Sequence, residues 1–212
     1  MKYKAIIFDL DGVICSTDEF HYLAWKAVAD SIGTEFNRDI NHRLRGISRR
    51  ESLEIILENY PDSLSETEKT ILTEQKNEIY RTLLRDMQPS FVSAEVRETL
   101  SIIRDSGVPM AIGSSSKNTP LILRQIGYED YFDAIADGNT CARSKPAPDI
   151  FLWAASLLDV APQDCLVVED AVAGVEAAAA AGMDVACLGD AANRQVGDYN
   201  LTSFQDLLKI IA

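Results

Sequence analysis

Ala5-Ile6-Ile7-Phe8-Asp9-Leu10-Asp11-Gly12 decides how the rest of this chain is read. The four apolar residues read as a short buried strand. Side chains two apart on a strand point the same way, so Asp9 and Asp11 are expected on one face at its C-terminal end. Open α/β sheets place their ligands at that end. Two carboxylates there repel unless a cation or a proton sits between them. Oxygen ligands of this kind suit a hard metal, and with it phosphate chemistry.

Outward from this strand the pattern has two textures. Val108-Pro109-Met110-Ala111-Ile112-Gly113, Cys165-Leu166-Val167-Val168-Glu169 and Asp184-Val185-Ala186-Cys187-Leu188 read as further strands, as does Phe132-Asp133-Ala134-Ile135-Ala136. Helical stretches near 93–106, 117–127, 148–159 and 171–182 alternate with them. The alternation predicts an α/β fold, a parallel sheet covered by helices on both faces. Residues 16–88 instead carry helical periodicity with little strand signal. Leu23, Val28 and Ile32 are expected to face inward from the first helix, with further amphipathic helices over 52–59 and 66–87. The expected division is a core of residues 1–15 and 89–212, and a helical cap of residues 16–88 hinged near Cys15 and Gln88.

The chain has 212 residues and a formal net charge of -13. Such a surface repels nucleic acid and anionic lipid, which excludes both as partners. A small anionic substrate stays compatible if positive groups gather locally. Cys15, Cys141, Cys165 and Cys187 are widely spaced, which disfavours zinc and disulfides and fits a reducing cytoplasm. No signal peptide or bilayer-spanning run is read, and nothing demands an oligomer, so a cytoplasmic monomer is expected.

Four more segments carry candidate chemistry. Gly113-Ser114-Ser115-Ser116-Lys117-Asn118 lies between a strand and a helix, where hydroxyls and backbone N–H groups suit a phosphate. The same residues also read as an ordinary helix cap, with Ser115 or Ser116 as capping residue. In Ser144-Lys145-Pro146-Ala147-Pro148-Asp149, two prolines fix the loop that carries Lys145. That lysine is either an ordinary surface residue or a charge held near a phosphate and Asp9. Glu169-Asp170 ends a strand and opens a helix. The pair either favours the helix dipole or joins Asp9 and Asp11 around one Mg²⁺.

The last segment is in the cap. Ser48 is expected to cap a helix, with Glu51 completing a capping box. Arg49 then stands at a helix start, where the dipole disfavours a cation, so it is either solvated or waiting for an anion. His21 and Trp25 are four apart on one helix face. Trp25 reads first as cap core, since tryptophan is heavily buried on average.

Together these motifs resemble the haloacid dehalogenase superfamily of phosphotransferases, over the whole chain. The D-x-D-G run, the serine after the second strand, the lysine before proline and the E-D pair fall in that family's order and spacing. The cap segments Glu19-Phe20-His21, Ala24-Trp25-Lys26-Ala27, Gly46-Ile47-Ser48-Arg49 and Lys76-Asn77 are similar to those of its sugar-phosphate mutases. The resemblance implies a Rossmann-like core with a helical cap inserted after the first strand. It implies Asp9 as nucleophile and Asp11 as general acid and base. Mg²⁺ would be held by Asp9, the Asp11 carbonyl and Asp170, with Glu169 close by. Ser114 and Lys145 would hold the transferring phosphate, and Arg49, Ser116, Lys117 and Asn118 a second one. Thr17, His21 and Lys76 would couple cap closure to the site, and Trp25, Gly46, Ser52 and Ser115 complete the expected substrate-binding set. The resemblance places Lys145-Pro146 in a tight loop, which makes it the expected cis peptide. The implied activity interconverts β-glucose 1-phosphate and glucose 6-phosphate through the 1,6-bisphosphate. A Mg²⁺-dependent sugar-phosphate phosphatase and, less favoured, a non-catalytic sugar-phosphate sensor stand as alternatives. The chain departs from the family at Ser16, where aspartate is usual, at Arg45, where lysine is common, and at Ser115, where alanine is.

Overall fold

The computed structural model describes residues 2–211. Six parallel strands form one sheet: β1 (Ala5–Phe8), β2 (Met110–Gly113), β3 (Ala134–Ala136), β4 (Cys165–Glu169), β5 (Asp184–Cys187) and β6 (Tyr199–Asn200). Their order is β3-β2-β1-β4-β5-β6. The chain steps outward from β1 on one side, then returns to place β4 on the other. That reversal opens a crevice at the C-terminal ends of β1 and β4, where doubly wound sheets bind ligands.

Both faces of the sheet are covered, and the strand side chains sort by period two. Ile6, Phe8, Met110, Ile112, Leu166 and Val168 enter one hydrophobic core. That core is closed by α5 (Ala94–Asp105), α6 (Thr119–Ile126) and the C-terminal segment. Ala5, Ile7, Ala111, Cys165 and Val167 enter the other, under α7 (Asp149–Leu157) and α8 (Val172–Ala180). This is why these strands show continuous apolar runs and no alternation.

Between β1 and α5 lie α1 (Asp18–Ser31), α2 (Arg38–His42), α3 (Arg49–Ile56) and α4 (Glu66–Leu84). They share a separate apolar cluster built on Trp25, Val28, Phe36, Leu53, Ile56 and Leu72. Ser48 and Glu51 form the expected capping box at α3. Ser65 and Glu68 form another at α4.

Three expectations need correction. Leu23 is 42% exposed, while Ala24, Trp25, Val28 and Ala29 face inward. Trp25, the largest of these side chains, sets the buried row of α1, and Leu23 lies outside it. The β1 ladder ends at Phe8. Asp9 N–H still donates to the Val168 carbonyl at 2.9 Å, but Asp11 sits in a turn in which Gly12 N–H donates to the Cys15 carbonyl at 2.7 Å. Asp9 and Asp11 therefore reach the same cleft through a turn and not through strand alternation. Lastly, neither Ser115 nor Ser116 is the cap residue of α6, which starts at Thr119 behind Asn118. The short elements α2, β6, α9 (Gly189–Asn193) and α10 (Leu208–Ile211) carry too few residues for periodicity to reveal.

Candidate active site

A cleft of about 880 Å³ lies between the strand ends and the helices of residues 16–88. Asp9, Asp11, His21, Trp25, Gly46, Arg49, Ser52, Lys76, Ser114, Ser115, Ser116, Lys117, Asn118, Lys145, Glu169 and Asp170 all line it. Thr17 does not: it is 1% exposed and lies behind Asp11.

One end of the cleft is built from strand ends. Lys145 Nζ, buried on a loop whose Lys145-Pro146 bond is cis, donates at 2.6 Å to Asp9 Oδ1 and at 2.6 Å to Glu169 Oε1. Glu169 Oε2 accepts the backbone N–H groups of Asp170 at 2.7 Å and Ala171 at 2.8 Å. Glu169 thus spends both oxygens on holding Lys145 and the start of α8. Asp9, Glu169 and Asp170 offer carboxylate oxygens that lie within 4.8 Å of one another, all three residues buried.

Three carboxylates crowd one lysine here, and their acidity records it. Burial, then the charge of Glu169, pushes Asp9 up to about 7 against the pull of Lys145. Burial, with Glu169, Asp9 and Asp11, pushes Asp170 up to about 8. Burial alone would lower Lys145, but Asp9 and Glu169 outweigh it and hold the ammonium above its ordinary range. The donor set fits a hard cation, since only added positive charge relieves this repulsion. The backbone leaves room for it: Gly12 has φ +91, and a Cβ there would lie 2.2 Å from Asp170 Oδ2.

Asp11 turns towards Thr17, just before α1. Its Oδ1 accepts Thr17 N–H at 2.6 Å and its Oδ2 accepts the Thr17 hydroxyl at 2.8 Å. The Thr17 hydroxyl lies 2.8 Å from the Tyr80 hydroxyl, which ties this carboxylate to α4. A third of the Asp11 side chain stays open to the cleft, 3.8 Å from His21 Nε2. Burial raises Asp11, against the bonds from Thr17.

The loop after β2 is a relay of serine turns. Ser114 Oγ accepts Ser116 N–H at 3.2 Å, and Ser116 Oγ accepts Asn118 N–H at 3.2 Å. Hydroxyl residues therefore fold this loop against itself and point it into the cleft. Gly46 approaches the other wall, with φ +77 and Cβ atoms of Ala171 and Ala173 at 3.4 and 3.5 Å from where its own would stand.

The opposite end gathers Arg49, Lys76 and His21. Lys76 is 2% exposed, and its Nζ lies 2.8 Å from His21 Nδ1 and 4.2 Å from the centre of the Tyr80 ring. Burial, and then Arg49, lowers Lys76 well below its ordinary value. His21 is lowered well below its own by burial, Lys76 and Arg49. Arg49 is half-buried, and among the described residues its guanidinium donates only to the amide of Asn77. Trp25 is buried at 2% and packs in the apolar cluster while one edge reaches the cleft. Ser52 donates to the Ser48 carbonyl at 2.9 Å.

Sequence reasoning missed Tyr80 and gave Asn77, quoted with Lys76, no role. Tyr80 stands four residues after Lys76 on α4, a same-face spacing that could have flagged it.

A haloacid dehalogenase-like hydrolase family model matches residues 3–182. The chain belongs to that family. It is 46% identical over 182 residues to a β-phosphoglucomutase of Bacillus subtilis (strain 168), covering 85% of this chain and 80% of the relative. It is 32% identical over 185 residues to a phosphorylated carbohydrates phosphatase of Thermotoga maritima, covering 85% and 82%. A crystal structure of a β-phosphoglucomutase from Clostridium difficile superposes with a TM-score of 0.92 at 37% identity, covering 99% of this chain and 95% of that one. The family membership accounts for the six-stranded parallel sheet and for helices inserted after β1. No helix among the described residues is long and apolar enough to cross a membrane.

Proposed function

We propose that this chain isomerises β-glucose 1-phosphate and glucose 6-phosphate, through β-glucose 1,6-bisphosphate and a phosphoaspartate. The observation that carries this reading is the polarity of one cleft. Acids and a paired lysine occupy one end, and Arg49, bonded only to an amide among the described residues, occupies the other beside the buried Lys76. A monophosphate needs one anion site, whereas a mutase that turns a bisphosphate around needs two.

Asp9 is assigned as the nucleophile. Lys145 takes its Oδ1, which leaves Oδ2 for the attack. The bond from Asp9 oxygen to phosphorus forms as the bond from phosphorus to the sugar oxygen breaks. Covalent capture divides one difficult transfer into two. Asp11 gives the departing oxygen its proton and takes one from the next attacking hydroxyl. Its raised pKa keeps a proton available for the first step. Thr17 fixes the orientation of that carboxyl, and Tyr80 links Thr17 to α4.

Asp9, the Asp11 carbonyl and Asp170 are the groups that would hold Mg²⁺, which supplies positive charge against a phosphate dianion. Glu169 stands beside them, engaged with Lys145. Ser114 and Lys145 hold the reacting phosphate. Arg49, Ser116, Lys117 and Asn118 hold the other, with the arginine offering a planar fork of donors. Gly46, Ser52, Ser115, Trp25, His21 and Lys76 line the space for the sugar. Residues 16–88 act as a cap whose closure excludes the water that would hydrolyse the phosphoaspartate.

Phosphorus NMR of the protein with Mg²⁺, β-glucose 1-phosphate and a catalytic amount of the bisphosphate tests the reading. A growing glucose 6-phosphate signal with little inorganic phosphate is expected. Inorganic phosphate as the main product would establish a phosphatase in its place, and no change in either would leave a sensor.

A further inference from the structure

We propose that Asn77 is a positioning residue: it aligns Arg49 of the cap helices with Asn118 of the sheet domain, so that both donors meet one distal phosphate. The inference deepens the reading of the Arg49 end as a second phosphate site, and it rests on that reading.

Asn77 does not line the cleft, whereas Arg49 and Asn118 do. It stands on α4 next to Lys76 and turns away from it, towards the start of α6. Its Oδ1 accepts two bonds, from Arg49 Nη2 at 2.8 Å and from Asn118 Nδ2 at 2.9 Å. One oxygen therefore joins two chain segments across the boundary between the inserted helices and the sheet.

The amide orientations follow from the chemistry. Arginine carries donors and no acceptor, so Asn77 must turn its oxygen to Arg49. The same oxygen faces Asn118, so Asn118 must turn its NH₂ group inward. Arg49 in this way fixes, through Asn77, which way the Asn118 amide is turned. The bridge consumes one of the five N–H groups of Arg49 and one of the two on the Asn118 amide. The rest stay available to an anion.

A neutral acceptor is the fitting choice here. A carboxylate would orient both donors equally well but would cancel the charge that a phosphate needs. A half-buried arginine bonded only to an amide keeps its full charge, and fixing its long side chain beforehand removes an ordering cost from binding.

Two variants separate this role from a merely structural bridge. Asn77→Ala should raise the KM for β-glucose 1,6-bisphosphate roughly 3–10-fold, the size of one ordinary net hydrogen bond, with kcat changed far less. Asn77→Asp keeps both acceptor bonds, so its melting temperature should match the parent's. Its KM for the bisphosphate should nevertheless rise at least as much as that of Asn77→Ala, because its charge opposes the phosphate. In an Arg49→Ala background, Asn77→Ala should cost less than it does in the parent, since its effect runs partly through Arg49.

Parent-like bisphosphate KM in Asn77→Asp would overturn the proposal, because a structural bridge is satisfied by the two bonds alone. So would equal KM increases for the bisphosphate and for a small aryl phosphate that has no second phosphate. If the parent hydrolyses the bisphosphate without isomerising sugar phosphates, the mutase reading fails. The KM comparison then still decides the role of Asn77.

Discussion

The two ends of the cleft solve opposite electrostatic problems. At the strand ends, Asp9, Glu169 and Asp170 converge around Lys145 with acid in excess. At the cap end, half-buried Arg49 has an amide in place of a carboxylate partner, beside Lys76 and His21, which burial pushes towards their neutral forms. Buried charges without a counter-charge are costly, so each end is incomplete alone. One end calls for a cation, the other for an anion, and a sugar bisphosphate with a divalent metal supplies both. The chain's net charge of -13 hides this, because it sums over the whole chain and not over either end of the cleft.

The comparison can be broken most severely at the acidic end. Asp9→Asn should abolish both turnover and phosphoenzyme labelling, since no nucleophile remains. Labelling equal to the parent's would remove Asp9 from that role. Asp11→Asn should keep metal binding, which needs only its carbonyl, yet lose roughly 10²–10⁴-fold in rate with poorly activated leaving groups. A loss of metal affinity that tracks the loss of rate would show that its carboxylate serves the metal instead.

A smaller effect sharpens the electrostatic half of the contrast. Asp9, pushed up to about 7, and Asp170, pushed up to about 8, bind protons in the folded state that an unfolded chain releases near pH ~4. With folded pKa values raised, these groups lower stability progressively as pH climbs from about 4 to about 8 in metal-free protein. Protons compete with a cation for the same oxygens. The rise in melting temperature on replacing chelator with Mg²⁺ should therefore be small near pH ~5.5 and reach a plateau above about 8. A rise independent of pH across that range would place the metal elsewhere.

The acidic end was largely legible in the sequence, because its residues sit at strand ends announced by apolar runs. β1 and β4 begin and end where Ala5–Phe8 and Cys165–Glu169 are read, and the motifs at their tips meet in space. What could not be read was how Glu169 spends its oxygens, since that depends on a loop 24 residues away. The cap end was less legible. Helical periodicity finds α3 and α4 but not which helices touch, so the contact between His21 and Lys76, 55 residues apart, had no local signal. Leu23 shows the same limit, because a buried tryptophan chose a different row of α1. Asn77 lies in the quoted Lys76-Asn77 segment but was given no role there, and only the bridge between Arg49 and Asn118 gives it one.

The most direct test of the two-ended cleft is Arg49→Ala, assayed in parallel on β-glucose 1-phosphate isomerisation and on hydrolysis of a small aryl phosphate. Removing a charge-assisted contact is worth roughly 1.5–3 kcal/mol, or about 10–150-fold. Isomerisation should fall by at least that factor, because the bisphosphate must bind in both orientations. Hydrolysis of the aryl ester, which offers nothing to the cap end, should fall far less. Equal losses in the two assays would contradict the account and make Arg49 a general structural residue.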